Sequence, residues 1–246
     1  MGLKAAPEDQ ALLLELQEFD TRLQQLDHRA RNLPEIAAVA ALASEGETLR
    51  RSLAEQTGVW EDAKAELGRV ESDVAVVEAR IERDRERLQG SSSMKDVQAL
   101  EQELAALARR RDELEEIELV VMERVEGHEE ELASSREALD SLGARTEETT
   151  AARDAALASI DQDRSHISAN RQTVAGKVPA ELLALYEKQR ARYGVGASHL
   201  RAGVSSASGV ALNATDLNAV RAAAPDDVLL CPDSSAVLVR TAESGL

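Results

Sequence analysis

The chain is poor in the residues on which compact folds and catalytic pockets are usually built. Only 2% of its 246 residues are aromatic: one Trp, two Tyr and one Phe. The single cysteine, Cys231, excludes an internal disulfide framework and is typical of a protein in a reducing compartment. There is no apolar run of membrane-spanning length and no charged-then-apolar leader in residues 1–10, so we expect a cytoplasmic protein with no membrane contact.

The sequence also lacks the short motifs of common enzyme classes. It contains no phosphate-binding loop of the G-x-x-x-x-G-K-[ST] kind and no supported Ser/His/Asp set. We therefore predict that the chain is not an enzyme and that it has no cofactor.

Charged residues are abundant, at 30% of the chain, and they are unevenly distributed. The first 175 residues hold 39 Asp and Glu against 22 Lys and Arg, whereas residues 176–246 hold seven of each. The net charge of −17 thus belongs entirely to the first part. Because an acidic surface repels phosphate, nucleic-acid binding is not expected along most of that part.

Core positions recur with alternating spacings of three and four residues from Val39 to Leu88. This pattern is typical of a coiled-coil seam and is about seven heptads long. The seam positions are Val39, Leu42, Gly46, Leu49, Leu53, Gln56, Trp60, Ala63, Leu67, Val70, Val74, Val77, Ile81, Asp84 and Leu88.

The pattern breaks at residues 89–93 and resumes at residue 94. Ser93 is placed to cap the new helix. Residues 8–88 and 94–175 form arms of 81 and 82 residues, each on the order of 120 Å long as helix. Arms of equal length predict an antiparallel hairpin with its tip at residues 89–95 and a kink near Pro34. Whether the hairpin is a monomer or a dimer stays open.

The composition changes after residue 177, which predicts a hairpin domain at 1–177 and a small α+β domain at 178–246. We expect a hinge helix at Leu182–Arg192, a flexible joint at 194–196 and a short helix ending near Ala222. Strands are predicted at Val210–Leu212, Val228–Cys231 and Ala236–Arg240. The predicted core of this domain is Leu212, Leu217, Val228, Leu230 and Val239.

Two short segments of the C-terminal domain have the spacing of zinc knuckles. Ser205-Ser206-Ala207-Ser208 precedes one predicted strand, and Cys231-Pro232-Asp233-Ser234 follows the end of another. Two C-x-x-C pairs on neighbouring hairpins would form a Cys₄ zinc site.

The chain resembles bacterial proteins with an N-terminal coiled-coil hairpin and a C-terminal C4-type zinc ribbon. The resemblance extends over nearly the full length. It rests on the tip at 93–101, the hinge at 178–187 and the ribbon segments at 212–217 and 237–241. It implies zinc-ligand positions at Ser205, Ser208, Cys231 and Ser234. Only Cys231 is a competent ligand, although His199 and Asp233 lie nearby. We therefore expect a degenerate, metal-free, zinc-ribbon-like domain held by turn hydrogen bonds.

Two functions remain open from the sequence. The first is a non-enzymatic adaptor or scaffold that binds a protein partner through the hairpin and the metal-free ribbon. The alternative is a regulator that binds RNA or DNA through the ribbon domain, since the family is usually suggested to bind nucleic acid. The candidate contacts for that alternative are Lys188, Arg190, Arg192, Arg201, Arg221 and Arg240.

Overall fold

The computed structural model describes residues 2–246; Met1, part of the first predicted domain, lies outside the described residues. The helices are α1 (Pro7–Arg31), α2 (Pro34–Gly90), α3 (Met94–Ala175), α4 (Ala180–Tyr193) and α5 (Ala214–Ala222). The strands are β1 (Ala197–Arg201), β2 (Val204–Ser205), β3 (Leu229–Leu230) and β4 (Val237–Val239), with a final 3₁₀ turn at Ala242–Ser244. The predicted fold class is confirmed: a long helical hairpin with a small C-terminal sheet.

The helix boundaries fall where the sequence places its breaks. The first helix ends at Arg31 and a new one begins at Pro34, because proline fits the first turn of a helix and not its interior. Only residues 91–93 separate α2 from α3, and the Ser93 hydroxyl accepts the Asp96 N–H at 3.5 Å. The helix α3 then runs for 82 residues.

Packing divides the described chain into two compact units. We call residues 35–151 the hairpin unit and residues 2–34 together with 152–246 the terminal unit. The domain boundary predicted at residue 177 lies just after the end of α3 at Ala175.

In the hairpin unit, α2 and α3 pack antiparallel along the predicted seam. Every seam position from Val39 to Leu88 is buried or half-buried. The register is marked by Gln56, which accepts a hydrogen bond from Ser135 at 2.7 Å, and by Trp60, which donates to Glu129 at 3.1 Å. The antiparallel hairpin predicted from matched arm lengths is therefore confirmed for this unit.

In the terminal unit, a four-stranded sheet packs against α1 and α4. The strand order is β2-β1-β4-β3, with β1 parallel to β4 and the other neighbours antiparallel. The helix α5 ends at Ala222, as predicted, and it begins after Asn213, whose side chain accepts the Asp216 N–H at 2.9 Å. Among the fully buried side chains of this unit are Leu13, Leu16, Leu182, Tyr186, Leu200 and Leu238.

The strand predictions for this unit are partly wrong. The central strand β1 was missed, because it directly follows the glycines that indicated a flexible joint. Gly196 is instead packed so tightly that a Cβ atom there would lie 2.5 Å from the Tyr186 ring. The strand predicted at Val210–Leu212 is reduced to a single bridge between Ala211 and Val204. Leu230, predicted to be in the core, is 46% exposed, because the neighbouring Cys231 points inward instead.

Candidate functional site

The two knuckle-like segments fold into matching turns, residues 205–209 and 231–235, which we call the paired turns. In the first, Ser205 N donates to the carbonyl of Val210 at 3.1 Å, and Gly209 N donates back to Ser205 O at 2.8 Å. In the second, Cys231 N donates to the carbonyl of Ala236 at 2.8 Å, and Ser235 N donates to Cys231 O at 2.9 Å. The two segments thus share one backbone hydrogen-bond pattern.

The match extends to backbone conformation and to side chains. The fifth residue of each turn is left-handed, with φ +66° at Gly209 and +59° at Ser235. The fourth residue is a serine whose hydroxyl accepts the N–H two residues later, at 3.2 Å for Ser208 and 3.4 Å for Ser234. These two hydroxyls therefore brace their own turns.

The first residues of the two turns meet in the interior. The Cys231 thiol donates to Ser205 Oγ at 3.3 Å, and Ser205 Oγ lies 2.7 Å from Ser198 Oγ. All three residues are at most 1% exposed. Burial acts to raise the pKa of Cys231, but the hydrogen bonds that Ser205, Ser234 and the turn N–H groups can donate to the ionised sulfur outweigh it, and the pKa lies below its ordinary value.

The donors at these four positions do not fit a zinc ion. One thiol and three neutral hydroxyls are a poor set, since tight zinc sites use thiolate, imidazole or carboxylate. The nearby His199 is engaged elsewhere, with its Nε2 2.7 Å from Thr241 Oγ1, and Asp233 is exposed. Within residues 2–246 there is no group of three or more His, Cys, Asp or Glu side chains able to hold a metal ion.

The six cations proposed for nucleic-acid contact divide into two groups. Arg240 is used internally, because its guanidinium donates to five backbone carbonyls around the C-terminal end of α5 and the loop that follows. Arg190 donates to Asp20 at 3.2 Å, and Arg201 pairs with Glu243 at 2.9 Å. The remaining three are exposed and have no ion-pair partner among the described residues: Lys188, Arg192 and Arg221.

A buried ionic network, missed in the sequence, fixes α4 in the terminal unit. Asp20, 1% exposed, accepts two bonds from Arg171 at 2.8 and 3.1 Å and one from the Tyr186 hydroxyl at 2.6 Å. Burial, with the Asp20 hydrogen bond, raises the pKa of Tyr186. Glu187 bonds both Arg171 and Arg190. The sequence did contain a signal, because Asp20 lies four residues after the core residue Leu16, on the same helix face.

Large apolar side chains are exposed on the hairpin unit away from its seam. At the tip, Met94 is 86% exposed. Along α3, Leu119 and Val120 are 62% and 56% exposed, and Ile117 and Met122 are 45% and 40% exposed. None of them lies on the seam of α3, whose positions in this region are Leu114, Glu118, Val121 and Val125.

These features together define the structural class of the protein. The hairpin unit buries one seam and leaves the outer faces of both helices to solvent, while the matched turns of the terminal unit lack a metal-ligand set. None of the helices within residues 2–246 combines the length and low polarity that a membrane span requires. The fold is that of a coiled-coil hairpin protein.

Comparison with known proteins identifies the family. The model of the family described as "CT398-like coiled coil hairpin domain" matches residues 16–194. The protein Rv2229c of Mycobacterium tuberculosis (strain H37Rv) is 35% identical over 239 residues, covering 97% of this chain and 98% of the relative. A solved structure from Mycobacterium smegmatis shares 34% identity with a TM-score of 0.85, covering 97% of this chain and 100% of that one.

A more distant solved structure has the same fold. CT398 from Chlamydia trachomatis is 20% identical with a TM-score of 0.63, covering 94% of this chain and 97% of its own. The chain belongs to the CT398-like coiled-coil hairpin family.

Proposed function

We propose that the chain is a non-enzymatic adaptor that binds protein partners through its coiled-coil hairpin and its C-terminal module. The main support is the exposure of apolar side chains on the hairpin unit, above all Met94 at the tip, 86% exposed. A methionine so exposed at the start of α3 has no packing role in the unit. Its flexible thioether suits contact with a partner surface.

The experiment is site-specific photo-cross-linking in the native host. A photoreactive residue at position 94 is compared with one at Val76, which is 63% exposed on α2 and is not part of the tip. The proposal predicts a defined protein adduct at position 94 that is absent at position 76. A third position, Val210, tests the C-terminal module. If the full-length chain is expressed but forms no adduct at position 94 or at position 210, the adaptor role is contradicted.

We further propose that the C-terminal module is a degenerate zinc ribbon. The shared hydrogen-bond pattern of the paired turns supports this, because two such turns are the expected scaffold for two ligand pairs. In this proposal the hydrogen bonds of Ser208 and Ser234 hold the turns in place of a metal. Elemental analysis of the purified chain tests the proposal, and about one zinc per chain would overturn the metal-free part of it.

Binding of RNA or DNA is the second candidate. One observation favours it: Tyr193 is 46% exposed and Arg192 lies over its ring at 5.2 Å, an arrangement on which a base could stack. Lys188 and Arg221 are also exposed. Retardation of single-stranded RNA at low salt, weakened by Arg192→Ala and Tyr193→Ala, would support this candidate. Absence of any retardation would remove it.

A further inference from the structure

One turn of α3 in the hairpin unit is apolar on nearly all of its sides. Residues 117–122 read Ile-Glu-Leu-Val-Val-Met, and of these only Val121 is buried, at 2% exposure. Ile117, Leu119, Val120 and Met122 are between 40% and 62% exposed. We call these four side chains the α3 apolar patch. A helix that is apolar all round is normally buried on more than one side.

The polarity of this turn is reversed relative to the hairpin seam. Glu118 lies at a seam position and is half-buried against α2, whereas the neighbouring Leu119 and Val120 face solvent. Packing within the hairpin would favour the opposite order, with leucine in the seam and glutamate outside. The exposed leucine and valine therefore contribute nothing to the seam, and more than half of each side chain faces solvent.

The charge around the patch indicates what kind of molecule could bind there. Residues 112–131 hold ten Asp and Glu and one arginine, Arg124. This arginine is paired with Glu66 across the hairpin at 2.6 Å. Glu116, Glu123 and Glu126 have no ion-pair partner within residues 2–246. The patch is thus bordered by uncompensated negative charge.

We propose that the α3 apolar patch docks an amphipathic helix of a protein partner, with apolar residues at helical spacing and Lys or Arg on both flanks. Such a helix would cover Leu119 and Val120, the most exposed side chains of the patch, and neutralise the flanking carboxylates. A second copy of this chain is the poorer occupant, because it would bring its own acidic border against this one. The inference rests on the proposed adaptor function and gives the partner's chemistry.

The test uses the full chain and a synthetic helical peptide as the probe. The peptide is about 20 residues long, about 30 Å as helix, with leucines at three- and four-residue spacing, lysines on both flanks and a fluorescent label. A second peptide has glutamate in place of lysine, and a third has the same composition in scrambled order. Binding is measured by fluorescence anisotropy at about 0.15 M ionic strength, where long-range attraction is screened beyond about 8 Å.

Matched variants separate docking from general attraction to an acidic rod. The double substitution Leu119→Ser and Val120→Ser removes apolar surface without changing charge. The control, Val59→Ser and Val76→Ser, removes residues of similar exposure, 50% and 63%, from α2. We expect the α3 variant to bind the lysine peptide about tenfold or more weakly, and the α2 variant to stay within about twofold of the parent.

Three results would overturn the proposal. The scrambled peptide could bind as well as the ordered one, both double variants could lose affinity equally, or the lysine peptide could fail to bind. A fourth such result would be self-association in sedimentation that the α3 variant abolishes, because a second copy of the chain would then be the occupant. An adduct at position 94 in the cross-linking experiment would still support the adaptor function if the peptide fails, so the two failures are distinguishable.

Discussion

Replacing Asp20 with alanine should release α4 from the terminal unit. The carboxylate is 1% exposed and accepts bonds from Arg171, Tyr186 and Arg190. Loss of the carboxylate leaves the buried Tyr186 hydroxyl without an acceptor, which destabilises the fold by about 1–3 kcal/mol. It also removes charge-assisted hydrogen bonds, which contribute about 1.5–3 kcal/mol. Arg171 keeps Glu187, which limits the effect. We expect a destabilisation of about 3–5 kcal/mol, the range for breaking a buried ion pair.

Native-state hydrogen exchange read by mass spectrometry measures this effect locally. Amide protection in α4 (Ala180–Tyr193) should fall by an opening free energy of about 3–5 kcal/mol in the Asp20→Ala chain. Peptides from the hairpin unit serve as an internal reference. A global melting experiment is less suitable, because a chain with two compact units need not unfold in one step.

Asp27 offers a matched control on the same helix. It also pairs with an arginine of α3, Arg164 at 3.1 Å, but its side chain is 39% exposed. Asp27→Ala should therefore cost less than about 1 kcal/mol, as is usual for exposed ion pairs. If Asp20→Ala changes protection of α4 no more than Asp27→Ala does, the reasoning from burial is wrong.

Three further outcomes are expected. Because burial and Asp20 raise the pKa of Tyr186, its contribution to stability is present below about pH 10, the unfolded value, and is lost at higher pH. In a Tyr193→Phe chain, tyrosinate absorbance should therefore rise only together with unfolding of α4, whereas a rise before unfolding would contradict the assignment. Gly196→Ala forces a Cβ to within 2.5 Å of the Tyr186 ring and should destabilise the terminal unit by about 1–3 kcal/mol, measured by hydrogen exchange of the β1 amides. The control Gly58→Ala, which has open space around it on α2, should not destabilise its own helix. Replacing Ser205, Ser208 and Ser234 with cysteine should create a site that binds about one zinc per chain, measured by elemental analysis beside the parent. No zinc uptake would contradict the similarity of the turns to zinc knuckles.

Most of the helical architecture was predictable, because a coiled coil is a local pattern repeated along the chain. The 3-4 spacing from Val39 to Leu88 identified the buried positions of α2, and the structure confirms them. The break at Pro34 and the start of α3 at Met94 follow from proline geometry and from the Ser93 cap. Each of these signals depends on residues within one or two turns of each other.

The sheet and its contacts were less predictable, because they depend on residues far apart in sequence. The central strand β1 pairs with β4 some 40 residues later, and nothing near Ala197 indicates that partner. The same holds for the side chains that meet Asp20, which come from two other helices. Arg190 could be recognised as a cation, but its use inside the terminal unit could not.

The sequence alone therefore determined the two long helices, their antiparallel pairing, the acidic character of the coil and the presence of one cysteine among the four knuckle-spaced positions. The tertiary structure decided the sheet order, the matching hydrogen bonds of the paired turns, the buried network around Asp20 and the exposure of the α3 apolar patch. The physical reason is the distance along the chain between the residues involved, because helix periodicity and charge are properties of neighbouring residues. Burial of one side chain and exposure of the next depend on which distant segment packs against them.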